Sequence, residues 1–403
     1  MPIYLVVTPF FPSPDDFRGA FVYDQVKAIE RTGLYKVMVF KPCTLQKKAP
    51  SYSYDGINVD YIPSFFTPSY LFNGLGGSIN GKNFLKELQR KGISLTDVAV
   101  VHVHTAAFAC YASALKKQSS KIKTIIQYHD PDPYQIRLGK LAQWKPNATY
   151  RVRKLISHFR YIDLHLCISE KVRYNLIHFP EPHPKECFMS YRNILSVLHN
   201  ENTKSDLKTY VLYNGVDVLK FHPQPTQKDT NLFKIGCIGN FVDWKDQMTL
   251  IKAIHFLKQQ GKADGIVVSF IGSGITRKEC EEYIIANKLE KSFVFEKEVH
   301  HRELPEYYRS LDLFVLPSYF EGFGCVCTEA AACGVPFMGC VNQGYSEYIP
   351  DEEQDRWLIE PHDYKQLANL IERQSTERHI QRLQHSFDIN ALVGDYLNYI
   401  KEL

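Results

Sequence analysis

Glu321 and Glu329 stand eight positions apart in FVLPSYFEGFGCVCTEAAACGVPF, Phe314 to Phe337, a stretch otherwise apolar and broken by glycines. Carboxylates are rarely buried unless a partner offsets their desolvation, so the pair implies something for them to hold. Leu311 and Leu313 to Leu316 form an apolar run that stops at Pro317 and Ser318, which reads as a short buried strand, and the residues after Gly324 read as a helix. Glu321 then lies on a strand-to-helix loop, and Glu329 more than a turn inside the helix. At such a junction a carboxylate can accept hydrogen bonds from ligand hydroxyls, and the segment Glu321, Gly322, Phe323, Gly324 lets backbone donors come close. The structural alternative has Glu321 capping the helix start and Glu329 paired with an internal basic group.

Three other places carry residue types suited to chemistry. Lys245 follows FKIGCIG and precedes a predicted helix, where a cation and helix-start donors can stabilise charge on a phosphate; the alternative is a surface lysine. Gly239 reads either as a tight turn or as a point where backbone approaches phosphate. His129 ends the apolar KTIIQY and is followed by Asp130 and Pro131; a histidine there is as suited to bonding backbone as to acting on a ligand. No acidic pair has the spacing and setting of a diphosphate-bound magnesium site, since Asp15 and Asp16 fall on a Pro-rich loop whose default state is solvation. Cys325, Cys327, Cys333 and Cys340 invite a metal reading, but two-residue offsets do not share a helix face, so ordinary core thiols are expected.

These residues need a scaffold, and length and patterning describe one. With 403 residues the chain exceeds what one core usually fills, so two domains are expected. Lys and Arg number 48 against 44 Asp and Glu, and the resulting +4 is too small to argue for nucleic acid. The basic run Lys140, Lys145, Arg151, Arg153, Lys154, His158 and Arg160 reads as a solvated helix face or, alternatively, as a surface toward an anionic membrane or a phosphate-bearing acceptor. No run of 18 apolar residues and no basic leader with a long apolar core occurs, so the expectation is a cytoplasmic protein. Ten irregularly spaced cysteines suit reduced thiols.

Strands are expected at Ile3 to Val7, Tyr35 to Phe40, Val98 to Val103, Ile122 to Tyr128, Asp163 to Ile168 and Thr209 to Leu212, with a helix from about Ala20 to Arg31. Gly76, Gly77 and Gly81 follow no strand and read as a flexible loop. Pro223 and Pro225 mark a boundary, after which the alternation repeats: strands at Phe233 to Ile238, Ile266 to Ile271, Phe293 to Phe295 and Leu313 to Leu316, with helices from about Asp246, Lys278, Leu304 and Val326. The fold class is α/β, two doubly wound domains with a cleft at the carboxyl ends of their sheets. The divisions are 1–222, 223–385 and a terminal helix in 386–403, where Leu392, Val393, Tyr396, Leu397 and Ile400 share one apolar face.

EGFGCVCTEA resembles the signature of the retaining, GT-B-fold glycosyltransferases that use nucleotide sugars (glycosyl transferases group 1, family 4-like). YYRSLDLFVLPSYFEGFG, EAAACGVPF and NQGYSEYI follow one another as in that family. VTPFFPSPDDFRGAF resembles its first glycine-containing loop, TIIQYHDPDP the segment bearing its active-site histidine, and IGCIGNFVDWKDQMTLIKAI its phosphate-binding loop. The resemblance touches both domains and most of the chain. It implies a GT-B fold whose last helix returns toward the first domain, and hexose transfer with retention from a nucleoside diphosphate sugar, UDP favoured over GDP. The acceptor would be a glycan or lipid-linked glycan, in surface polysaccharide or glycoconjugate synthesis.

By the same resemblance His129 and Glu321 face the transferred sugar, with His129 positioning and assisting electrostatically, and Glu329 meets the ribose. Gly19, Gly239, Asn240, Lys245, Gly322, Phe323 and Gly324 complete the donor site, and neither a cofactor nor a metal is required. Three positions depart from the pattern: Asn240 stands where a basic residue is common, Arg18 precedes Gly19 where a second glycine is usual, and Gln343 precedes Gly344 likewise. The competing readings are a nucleotide-sugar epimerase or phosphorylase on the same scaffold, and a noncatalytic sugar-nucleotide-binding protein. Aromatic YIPSFFTPSYLF in the first domain is the acceptor candidate, core packing being the alternative. No nucleic acid is expected as a partner, and peripheral contact with an anionic membrane is the one surface interaction anticipated.

Overall fold

The structure, a computed structural model, describes residues 1–14, 16–45, 50–67, 72, 74–129, 135–137, 145–178, 188–190, 207–225, 231–297 and 299–403. Asp15, Asp130, Pro131 and Lys140 lie outside the described residues. The chain divides into one unit of Met1–Asn214 with Ile389–Leu403, and a second of Gly215–Asp388.

In the first unit, β1 (Ile3–Val7), β2 (Lys36–Thr44), β3 (Tyr52–Tyr54), β4 (Ile57–Ser64), β5 (Val98–His104), β6 (Lys123–Tyr128), β8 (Leu164–Cys167) and β10 (Thr209–Val211) form one sheet. Its order is β10-β8-β6-β5-β1-β2-β4-β3, and every neighbouring pair except β3–β4 is parallel. Two further strands, β7 (Gln135–Arg137) and β9 (Phe188–Ser190), pair antiparallel on their own. Parallel strands covered on both faces print as continuous apolar runs, and IYLVV of β1 is buried at all five positions. The hairpin β3–β4 was not anticipated, although its turn is Asp55-Gly56 with both φ positive, 46° and 81°. Gly77 and Gly81 are helical, not loop: they sit on Gly77–Arg90, where a Cβ at Gly81 would lie 2.8 Å from that of Ala114.

The last helix, Ile389–Lys401, belongs to this first unit. Ile389, Val393, Tyr396, Leu397 and Ile400 join the core made by Tyr4, Val22, Val26 and Ile29, while Leu392 is only partly buried. Each fully buried side chain of that face contributes about 1.5–3 kcal/mol. Tyr396 also bonds the Tyr4 hydroxyl at 2.6 Å, fastening the helix to the first strand.

The second unit contains a six-stranded parallel sheet of β11 (Phe233–Ile238), β12 (Ile266–Ile271), β13 (Phe293–Glu296), β14 (Leu313–Leu316), β15 (Phe337–Cys340) and β16 (Leu358–Ile359), in the order β13-β12-β11-β14-β15-β16. Sequence order therefore reverses between β11 and β14. Ligands of doubly wound folds bind beyond the carboxyl ends of the strands at such a switch point. In the first unit the reversal falls between β1 and β5.

Candidate functional site

Two loops flank the β11/β14 switch point. The chain leaving β11 passes Gly239 and Asn240, then makes one 3-10 turn, Asp243–Lys245, before the helix Gln247–Gln259; the predicted helix start at Asp246 is one residue early. The chain leaving β14 carries Pro317 to Gly324 into the helix Cys325–Ala332. Lys245 Nζ and Glu321 Oε1 meet across this gap as an ion pair, with the side chains only 20% and 12% exposed. That exposure makes them a largely desolvated couple, in which each charge depends on the other.

Gly239 has no positive φ, and a Cβ there would come no closer than 3.6 Å to the chain, to Lys245 Cδ. Packing therefore leaves room for a Cβ at Gly239, and its φ does not call for glycine. Gly324 is different: φ is 87°, and a Cβ would lie 2.6 Å from the Tyr345 ring. Tyr345, fully buried, donates to the carbonyls of Leu316 (3.1 Å) and Ser318 (3.2 Å) and accepts from the Cys340 amide (2.8 Å), tying the ends of β14 and β15 together. A Cβ at Gly344 would fall 2.1 Å from the Gly322 carbonyl oxygen, so the loop of Gly322 and Phe323 is held by close backbone approach. Gln343 accepts from the Glu321 amide at 2.8 Å. Asn240 offers its carbonyl to Gln247 Nε2 at 3.1 Å, and Gly272 can approach Gly239 only because it lacks a Cβ.

Glu321 does not cap the following helix; the N-cap is Gly324, with no side-chain bond. Glu329 is held further along that helix. Tyr308 donates to its Oε2 at 2.7 Å, and His301 Nε2 stands 3.6 Å from Oε1, beyond hydrogen-bond length. Lys220 Nζ lies 3.1 Å from His301 Nδ1. An ammonium can only donate, so Nδ1 accepts and Nε2 carries a proton aimed at the carboxylate. Glu329 thus has one oxygen fixed and, among the described residues, no full-length hydrogen bond on the other.

In the first unit, Gly19 caps the helix Ala20–Arg31 with φ 94°, and a Cβ would lie 2.5 Å from the Phe10 carbonyl carbon. The loop after β1 folds back on itself there, which accounts for this glycine structurally. His129, just past β6, stacks on His104 at 5.0 Å and bonds it, Nδ1 of His104 to Nε2 of His129, at 2.7 Å. His104 stacks in turn on His102 at 4.5 Å, and His102 Nδ1 is hydrogen-bonded to the Tyr4 hydroxyl at 2.9 Å. His129 Nδ1 is buried and, among the described residues, has no hydrogen-bond partner. His129 and Gly19 are therefore residues of the first unit, whereas the remaining predicted site residues belong to the second.

Burial keeps these rings neutral. It pushes His102 and His129 down to about 3, and His104, crowded by both, well below the usual histidine range. His165 is lowered to about 3 and His158 to about 4, again mainly by burial. In the unfolded chain they titrate near 6.5, so between there and about 3–4 the unfolded state binds more protons. Stability is then full above pH ~6.5 and falls as the pH drops, by up to about 1.4 kcal/mol per pH unit per histidine. Melting at constant ionic strength should show a clear fall in Tm from pH 7.5 to 5.0; an unchanged Tm contradicts neutral burial of the column.

His104, His301, Tyr308 and Tyr345 were missed from sequence. His102 and His104 carry the period-two signal of one strand face, in VHVHT; the others are joined only by folding. Among the described residues no group of three or more His, Cys, Asp or Glu could hold a metal ion, and Cys340 Sγ is hydrogen-bonded to the Pro317 carbonyl at 3.3 Å.

Comparison with known proteins agrees across both units. Residues 220–392 match the family described as Glycosyl transferases group 1, and residues 19–185 match Glycosyltransferase Family 4. Protein CapJ of Staphylococcus aureus is 33% identical over 147 residues, covering 36% of this chain and 35% of CapJ. The capsular polysaccharide biosynthesis glycosyltransferase CapM of the same organism is 24% identical over 63% of this chain and 70% of its own length. The lipopolysaccharide core biosynthesis mannosyltransferase LpsB of Rhizobium meliloti is 28% identical over 38% of this chain and 46% of that protein. The chain thus spans between a third and a half of the length of CapJ and LpsB. Among solved structures, sucrose-phosphate synthase from Thermosynechococcus elongatus superposes with a TM-score of 0.71 at 16% identity, covering 99% of this chain and 98% of that one. Anabaena HepE, solved in complex with UDP, gives 0.67 at 16% identity over all of both chains.

Proposed function

We propose, from the premise that this chain belongs to the GT-B glycosyltransferases, that it transfers a hexose with retention from a nucleoside diphosphate sugar to a glycan or lipid-linked glycan. The observation that carries this is the Lys245–Glu321 pair at the β11/β14 switch point, with Glu329 further along the helix that begins there. Lys245 neutralises the charge that grows on the departing phosphate, aided by amides at the helix starts and backbone approach at Gly239. Freed from Lys245 by the diphosphate, Glu321 accepts from hydroxyls of the sugar. Glu329, fixed through Tyr308, presents its other oxygen to the ribose. His129, neutral at working pH, positions the sugar and assists by hydrogen bonding rather than by proton transfer.

UDP is the favoured nucleotide, supported by HepE, a fold neighbour solved with UDP and with UDP-glucose. Synthesis of surface polysaccharide is supported by the capsular and lipopolysaccharide relatives. For the acceptor, Phe65 and Phe66 are 39% and 41% exposed and line a pocket with Lys154 and His158 in the first unit, an aromatic and cationic lining suited to a sugar or a lipid phosphate. No helix among the described residues is long and apolar enough to cross a membrane. Peripheral contact of this aromatic, basic face with an anionic membrane surface, on the cytoplasmic side, accords with a lipid-linked acceptor.

Thermal-shift titration with UDP, GDP and their sugars tests the donor site, followed by transfer of labelled sugar into acceptor extract with and without chelator. Stabilisation by UDP and chelator-resistant transfer are expected, because Lys245 occupies the cation's place. Complete, magnesium-reversible loss of transfer would overturn that role of Lys245, and epimerised free sugar in place of transfer would favour the epimerase reading.

A further inference from the structure

Lys245 occupies the end of a single 3-10 turn, a segment too short to fix a side chain by itself. The residue after it, Asp246, has φ 48°, in the left-handed region that non-glycine residues seldom occupy. His362, on the loop after β16, has φ 67°. These two strained residues meet: His362 Nδ1 donates to Asp246 Oδ2 at 2.7 Å, and the Thr249 hydroxyl donates to the same oxygen at 2.7 Å. Backbone strain of this kind persists only where the surroundings over-determine it, and it concentrates at functional sites.

The contacts continue from there into the Glu321 loop. The His362 ring lies 4.8 Å from that of Tyr319, two residues before Glu321. Tyr319 donates its hydroxyl to Asp243 Oδ2 at 2.7 Å and its amide to the Trp244 carbonyl at 3.1 Å. The loops after β11, β14 and β16 are thereby clasped together, and both members of the Lys245–Glu321 pair stand on clasped segments. Asp246 is largely buried, with its side chain 11% exposed. His362 Nε2 is buried and, among the described residues, bonds to nothing, so the ring's one hydrogen bond is the one to Asp246.

We infer that Asp246 and His362 are a positioning pair that holds the Lys245 loop ready for the donor diphosphate, an inference that rests on the donor-site reading above. Neither residue needs to touch the ligand; they act through Lys245. A glycine at either position tolerates the same φ without a side chain, which separates the hydrogen bond from the backbone conformation. Asp246→Gly and His362→Gly remove the bond and relieve strain, while Asp246→Asn keeps an acceptor and a residue at ease in the left-handed region.

The test measures UDP affinity by calorimetry, KM and kcat with a UDP-sugar, and deuterium uptake over residues 243–247, for wild type, the three single variants and the double glycine variant. Each glycine variant should weaken UDP binding about 3- to 30-fold, inside the roughly 2- to 160-fold span that couplings between contacting residues cover. The double variant should lose no more than the worse single variant, Asp246→Asn should stay within about 3-fold of wild type, and kcat should fall in the glycine variants, by less than in Lys245→Ala. Uptake over 243–247 should quicken in both glycine variants. Glycine variants that bind UDP as wild type does, or losses that multiply in the double variant, overturn the inference. If wild type itself binds neither UDP nor GDP, the donor reading fails instead; exchange then decides alone, faster uptake sustaining the clasp and unchanged uptake ending it.

Discussion

Replacing Lys245 with alanine is expected to lower kcat by about 10²- to 10³-fold, the loss seen when one preorganised charge-stabilising group is removed from an active site. The ammonium stands at the switch point of the second sheet, paired with Glu321. Its removal takes away the cation that would meet the growing charge on the diphosphate, and it also leaves Glu321, only 12% exposed, without its ion partner. Breaking a fully buried pair from one side destabilises by about 3–5 kcal/mol; the remaining exposure of this pair reduces that figure. Thermal melts and steady-state kinetics on the same preparation separate the two effects. A folded Lys245→Ala protein with wild-type kcat contradicts the assignment.

The second large effect divides the two glutamates. Glu329→Ala should weaken binding of both nucleoside diphosphate and nucleotide sugar, by about 1–3 kcal/mol for a lost charge-assisted hydrogen bond. Tyr308 then loses its acceptor as well, a buried hydroxyl with its titration pushed far up by burial and by Glu329. Glu321→Ala should instead lower turnover more than it lowers diphosphate affinity, since that product carries no sugar. It also frees Lys245 from its ion pair, so diphosphate affinity can hold or rise. Calorimetry with the diphosphate and steady-state kinetics on both folded variants decide the matter. Unchanged diphosphate affinity in Glu329→Ala together with wild-type turnover in Glu321→Ala would return both carboxylates to structural duty.

The strands were legible because a parallel strand covered on both faces has no polar side to disguise it: Ile3–Val7, Phe233–Ile238, Ile266–Ile271 and Leu313–Leu316 are apolar runs between turn residues. The hairpin at Tyr52–Ser64 is less plain in the sequence despite Asp55-Gly56, because its first strand is only Tyr52–Tyr54, too short to show a period, and its second ends in Pro63 and Ser64. At the site, the sequence pattern put Lys245 and Glu321 on strand-to-helix connections and Glu329 inside the following helix, where the structure has them; the roles proposed for them come from the resemblance. What supports them was not legible. Gln343 looked like a departure from a glycine pair, yet its carboxamide receives the Glu321 amide. Asp246 and His362, 116 positions apart, have no relation along the chain until β11 and β16 lie in one sheet. Gly324 and Gly339 are small because the Tyr345 ring fills the space where their side chains would be.

The most direct test is transfer of labelled sugar from UDP- and GDP-sugars into an acceptor extract, with release of nucleoside diphosphate followed in parallel, by wild type and Lys245→Ala. Wild type should release diphosphate and label an acceptor in equal amounts, with a UDP-sugar preferred, and Lys245→Ala should fall to about 1% of that rate or below. A folded wild-type protein that neither binds nor turns over any sugar nucleotide of the panel, or equal rates for the two proteins, would contradict a nucleotide-sugar transferase built on Lys245 and Glu321.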